Sequence, residues 1–208
     1  MAVGVYLYDS NWVYNSTFPM PGINYGIVAN NFYYFTPTSG YGIIKTSLTS
    51  PTVVSYYGTV GYRGLFYDTS TSRIIAAGFG YGAVYFFDLN LNYLSSVSVP
   101  NCPHGVTVYN SKIYVVSWYS GKLSVFSDVG VAGDSNPTQC SSGLASISVD
   151  SFGYFALSCY DSNLAYIYNS SLQYTGKSIG LTNVFATRLD TNYRFGICGS
   201  INNVKIYN

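Results

Sequence analysis

The chain has 208 residues, enough to bury a substantial core in one domain, yet only 8% are charged where ordinary soluble chains carry roughly a quarter. Nine Lys and Arg against eight Asp, with no Glu, give a formal charge of +1, and the basic residues are scattered, so no footprint for DNA or RNA is present. Tyr (24) with abundant Val, Ile, Phe and Thr favours strands over helices, no apolar run approaches the roughly eighteen residues of a membrane span, and Met1-Ala2-Val3-Gly4-Val5-Tyr6 reads as a strand without the basic segment of a signal peptide.

From the N-terminus, the first strand-like segment is Val5-Tyr6-Leu7-Tyr8-Asp9, and its pattern returns in Ile43 to Ser47, Val84 to Asp88, Leu123 to Ser127, Ala165 to Asn169 and Val204 to Asn208. The last residues of these segments are 38, 41, 39, 42 and 39 apart, and a period near forty marks a solenoid or a propeller. A second marker runs in phase with it: Asn30, Asp68, Asn110, Asp150 and Asp190, each after a short apolar stretch and before another strand. Asn and Asp there predict Asx turns at hairpin tips. A ring of calcium-binding carboxylates is the poorer reading, because two of the five are Asn and no further acids cluster nearby.

One unit therefore reads as an inner strand ending at the Asx residue, a second strand, a Gly/Ser-rich turn, a third strand ending at the Tyr/Phe-Asp/Asn/Ser marker, and a less regular fourth strand. Four short antiparallel strands per forty residues are the blade of a β-propeller, so the fold class is all-β. Complete sets fall at about 24–58, 63–99, 105–138 and 145–178, with three strands at 184–208 and a hairpin at 3–9 and 12–18. A single domain over 1–208 follows, five-bladed if the N-terminal hairpin supplies the missing strand of the last blade, six-bladed if it stands alone, or an open ring whose ends pair with another subunit. Closure removes the sheet edges otherwise left at both ends.

The unit resembles the NHL-like and YVTN-like propeller families. Tyr109-Asn110-Ser111-Lys112-Ile113-Tyr114-Val115-Val116 leading to Leu123-Ser124-Val125-Phe126 carries the likeness most closely, followed by Val149-Asp150 through Ile167-Tyr168-Asn169. The likeness spans nearly the whole chain. NHL propellers usually have six blades, so a five-fold count departs from them. Such families include protein-binding and RNA-binding modules as well as lyases and hydrolases, so the resemblance implies fold rather than activity.

His104, the sole histidine, lies in Cys102-Pro103-His104-Gly105. Neither a zinc spacing nor a Gly-x-Ser-x-Gly nucleophile turn accompanies it, and no metal or cofactor is expected. The eight Asp sit at turns or strand ends, which reads as structural rather than as a glycosidase pair. Cys102 and Cys140, 38 apart in the loops before successive inner strands, are the expected disulfide, with Cys159 and Cys198 read as buried thiols. Aromatic residues repeat with the blades in the turns between second and third strands: Tyr41, Tyr81, Trp118 with Tyr119, and Tyr160. In a propeller these turns share a face with the interblade loops, which hold Tyr56, Tyr57, Tyr62, Arg63 and His104. Tyr41, Tyr81, Trp118, Tyr119, Tyr160, Arg63 and His104 are therefore the candidate ligand-binding residues.

The function expected from these features is a non-catalytic propeller at an extracellular or virion surface. It would bind a glycan or a protein through its aromatic face, and self-association is compatible with it. A glycosidase or an NHL-like lyase or hydrolase with its site in the central channel is the enzymatic alternative. An architectural subunit of a surface assembly is the third.

Overall fold

The computed structural model describes residues 4–8, 14–19, 23–37, 42–48, 53–58, 61–99, 102–127, 130–135, 139–180, 184–189, 195–199 and 204–207. Every regular element among them is a strand, so no helix there could cross a membrane. A hairpin of β1 (Gly4–Tyr8) and β2 (Tyr14–Pro19) comes first. The first four-stranded sheet follows: β3 (Ile23–Ala29), β4 (Phe32–Pro37), β5 (Ile43–Ser47) and β6 (Val53–Tyr57). The second comprises β7 (Tyr62–Asp68), β8 (Arg73–Gly78), β9 (Ala83–Phe87) and β10 (Tyr93–Ser98). The third comprises β11 (Pro103–Tyr109), β12 (Lys112–Ser117), β13 (Leu123–Ser127) and β14 (Gly130–Ser135). The fourth comprises β15 (Leu144–Val149), β16 (Phe155–Cys159), β17 (Leu164–Tyr168) and β18 (Tyr174–Gly180). A three-stranded sheet of β19 (Val184–Leu189), β20 (Phe195–Gly199) and β21 (Val204–Tyr207) ends the chain.

Each sheet is an antiparallel meander in chain order, and the four complete sheets fall within a few residues of the sets read from the repeat. The inner strands β3, β7, β11, β15 and β19 lie beside one another in succession, which is the arrangement of blades around a propeller axis. The two ends do not share a sheet among the described residues: β1 pairs with β2, and β21 with β20.

The second strand of each blade explains the core. In the second and third blades both of its faces meet another blade, so it reads as a continuous apolar run rather than an alternating one. In β8, Ile74 and Ala76 pack toward the first blade, with Tyr34, Ile43 and Phe87. Ile75 and Ala77 pack toward the third, with Val106, Ile113, Val115 and Phe126. In β12, Tyr114 and Val116 turn the other way, onto Leu144, Phe155 and Leu157 of the fourth blade. Each such fully buried side chain contributes about 1.5–3 kcal/mol. The fourth strands carry the solvent side: β10 and β18 are largely exposed, polar, and bulged against their partners, which blunts the sheet edges.

The turn markers divide by residue type. Asn30-Asn31 and Asn110-Ser111 form two-residue hairpins in which all four residues have positive φ, between 45° and 62°, the left-handed region Asn tolerates. Asp68 and Asp150 close longer turns through their carboxylates. Asp68 accepts from the Ser70 amide, the hydroxyls of Ser70 and Thr71, and Arg73. Asp150 accepts from the amides of Phe152 and Tyr154. Asp190 lies outside the described residues.

Candidate functional site

A bulge at the same place in every inner strand builds the site. In β3, Ile23 pairs with Pro37 and Tyr25 with Thr36, leaving Asn24 extra. In β7, Arg63 and Gly64 stand opposite Ala77, because Tyr62 pairs with Gly78 and Leu65 with Ala76. His104 is the extra residue of β11, Ala145 of β15 and Phe185 of β19. A bulge re-aims the residue it inserts, and all five fall near the start of their inner strands, at one end of the blades. Just after the bulge, four blades carry a small residue: Gly64, Gly105, Ser146 and Ala186. A Cβ on Gly64 would lie 2.5 Å from the His104 carbonyl oxygen, and one on Gly105 would lie 2.8 Å from the Ser146 Cα, so the inner strands approach too closely there for anything larger.

The first blade departs from this rule with Tyr25. Its hydroxyl crosses to the third and fourth blades, donating to the Ala145 carbonyl at 2.9 Å and lying 3.1 Å from His104 Nδ1. His104 Nδ1 is itself 2.7 Å from the same carbonyl. A carbonyl only accepts, so Nδ1 carries the proton and Nε2 the lone pair. His104 is buried, which pulls its pKa down to about 4 against the opposing hydrogen bond to Ala145, while the Arg63 charge acts in the same direction as burial. Burial pushes the Tyr25 phenol well above its ordinary value, opposed by Arg63. Both groups are uncharged at neutral pH.

Rings from three blades gather on this pair. Trp118 leans on His104 with centroids 4.9 Å apart and planes at 32°. Phe79 and Tyr25 meet His104 edge-on, each at 5.6 Å. Trp118 continues to Tyr160 at 5.5 Å, and Phe79 to Tyr119 at 6.1 Å. The Arg63 guanidinium lies 5.2 Å from the Phe79 ring centroid. The path Arg63–Phe79–His104–Trp118–Tyr160 thus runs unbroken over the second, third and fourth blades. Tyr119 branches from it at Phe79 and is 66% exposed.

Backbone bonds hold the turns in place. The Trp118 amide donates to Cys102, the Gly143 amide to Trp118, and the Tyr160 amide to Gly143, at 3.0, 2.7 and 2.9 Å. The disulfide joins Cys140 to Cys159, with Cα atoms 5.9 Å apart, and Cys102 is free. This corrects the expected Cys102–Cys140 bridge and the reading of Cys159 as a thiol. Equivalent loops of successive blades are a blade apart, whereas Cys140 precedes β15 and Cys159 ends its hairpin partner β16, where Leu144 pairs with Cys159.

Of the sequence candidates, the structure brings Arg63, His104, Trp118, Tyr119 and Tyr160 together. Tyr81 is exposed on the same turn as Phe79, with Tyr62 and Tyr85 as its neighbours. Tyr41 lies outside the described residues. Tyr62 is a core residue, edge-on to Tyr85 and Phe87. Phe79 and Tyr25 were not among the candidates. Phe79 carries a signal in hindsight, as it follows β8 where Trp118 follows β12 and Tyr160 follows β16. No cluster of three metal-ligating side chains occurs among the described residues.

No family model and no curated protein matches the chain. Solved structures do match in fold. Virginiamycin B lyase from Staphylococcus aureus, as its selenomethionine derivative, has a TM-score of 0.70 and 10% identity over 99% of this chain and 73% of its own. A streptogramin B lyase has 0.70 and 11% over 93% and 71%. A catalytically inactive histidine-to-alanine variant of the Staphylococcus aureus enzyme with quinupristin has 0.72 and 10% over 99% and 77%. At these identities the likeness is one of fold: the chain is a β-propeller.

Proposed function

We propose that the protein is a binding propeller that receives the face of a sugar ring on the aromatic path at its channel mouth. One observation carries this reading: five ring-bearing residues from three blades form a contiguous surface, held by backbone bonds and one disulfide, rather than scattered exposed aromatics. The disulfide supports an oxidising setting, in keeping with an extracellular or virion surface. A glycan-array screen of the wild type beside Tyr119→Ala and Phe79→Ala tests the reading. Retained fold with lost binding in both variants is the expected result, and absence of binding by the wild type to any glycan would overturn it.

A lyase is the second reading, favoured by the fold-level likeness to virginiamycin B lyase and by a sole histidine at the channel mouth. One feature of His104 weighs against it: an imidazole whose pKa burial pulls down to about 4 is a weak general base at neutral pH. Incubation with quinupristin, followed by mass spectrometry, checks this reading: breakdown by the wild type that disappears in His104→Ala would establish it.

A further inference from the structure

Arg63 is the only charged residue among those the inner-strand bulges insert at the channel mouth. It is half-buried, stacked on Phe79, and its charge reaches Tyr25 and His104. Among the described residues no carboxylate lies within ion-pair distance of it; the ion pair found there is Arg73–Asp68, in a turn between an inner and a second strand. The carboxylates of Asp68, Asp88 and Asp150 are likewise taken up by turns at the opposite end of the blades. At the channel-mouth end, Asp161 accepts from Ser142 in the fourth blade, while Lys122 shares the turn of Trp118. The two other groups that face Arg63, the Tyr25 phenol and the His104 imidazole, are neutral. Among the described residues, the aromatic surface therefore has a cation at one end with no counter-charge beside it.

We propose that the ligand is an acidic sugar: a ring whose face lies on Phe79 and Tyr119 and whose carboxylate pairs with the Arg63 guanidinium. This rests on the ring-binding reading above and gives it a charge. Arg presents a planar fork that donates two parallel hydrogen bonds to a carboxylate, and an aromatic surface alone does not distinguish acidic from neutral sugars.

The test is calorimetric titration with uronic-acid-terminated oligosaccharides and their carboxyl-reduced counterparts, using the wild type, Arg63→Gln and Arg63→Lys, each checked for an unchanged circular dichroism spectrum. The wild type should prefer the acid by about tenfold or more, and added salt should erode the preference. Arg63→Gln should abolish the preference, so that the acid and the neutral sugar bind at one level, and Arg63→Lys should restore part of it. Equal binding of both sugars by the wild type would overturn the acidic inference while leaving the ring reading standing. A preference that survives in Arg63→Gln would overturn it too, by assigning the acid to another group. Binding to neither sugar would overturn both.

Discussion

At the scale of single residues, His104 sets a limit in acid that the carboxylates do not. Its folded pKa of about 4 lies below the ordinary 6.5, so between these values the unfolded chain takes up the proton first. Stability is then complete above pH 6.5 and falls as the pH drops toward 4, by something on the order of 3 kcal/mol. Denaturant unfolding of the wild type and His104→Gln at pH 7 and pH 4.5 checks this: the wild type should lose stability between the two, and the variant should not show that loss. Asp68 and Asp88 act lower on the scale. Burial opposes their ionisation, but hydrogen bonds from Ser70, Thr71 and Arg73 to the first, and from Asn92 and Asn90 to the second, hold both below the usual 3.8. What they lend persists above that value and is lost as the pH falls beneath it. A chain poor in carboxylates thus still has a group that weakens it between pH 6.5 and 4, at the centre of its candidate site.

At the scale of elements, the fourth-blade hairpin is the brace of the site. The Cys140–Cys159 bond closes a sequence separation of 19 residues, and Gly143 inside that loop accepts from Tyr160 while donating to Trp118. A crosslink of this span is worth about 3 kcal/mol. Reduction, or Cys140→Ser with Cys159→Ser, should lower the melting temperature and also weaken ligand binding, because the Trp118 and Tyr160 turns lose their shared anchor. Fluorescence of Trp118 in a Trp12→Phe background would report that loosening directly. The blades themselves were legible in the sequence because β8, β12 and β16, buried on both faces, announce themselves as unbroken apolar runs. The bulges were not. A bulge is a mismatch between two strands, and nothing in Pro103-His104-Gly105 alone tells that Pro103 and Gly105 will face consecutive residues of β12. For the same reason the cysteines were paired by their spacing around the ring, when hairpin register was what brought two of them together.

At the scale of the whole molecule, packing about the axis depends on positions with no side chain. A Cβ on Gly105 would meet the Ser146 Cα, the Val116 side chain and the Ile147 amide within 3.0 Å, so Gly105→Ala must push the third and fourth blades apart. A loss of about 1–3 kcal/mol is expected, read as a lower urea midpoint, together with weaker ligand binding as His104 and Trp118 shift. Gly80→Ala is the contrasting case: its Cβ would meet nothing within 4 Å, and any loss should come from its φ of +81° alone.

Tyr25 has a consequence for how anything reaches the site. Its hydroxyl reaches from the first blade to Ala145 of the fourth and lies beside His104 of the third, so the phenol is a bar across the axis at the level of the aromatic path. Under the sugar-binding proposal a long polymer would not pass this bar; an end or a side branch would enter and leave by the same side, so arrival and departure would share one barrier and the protein would count chain termini rather than chain length.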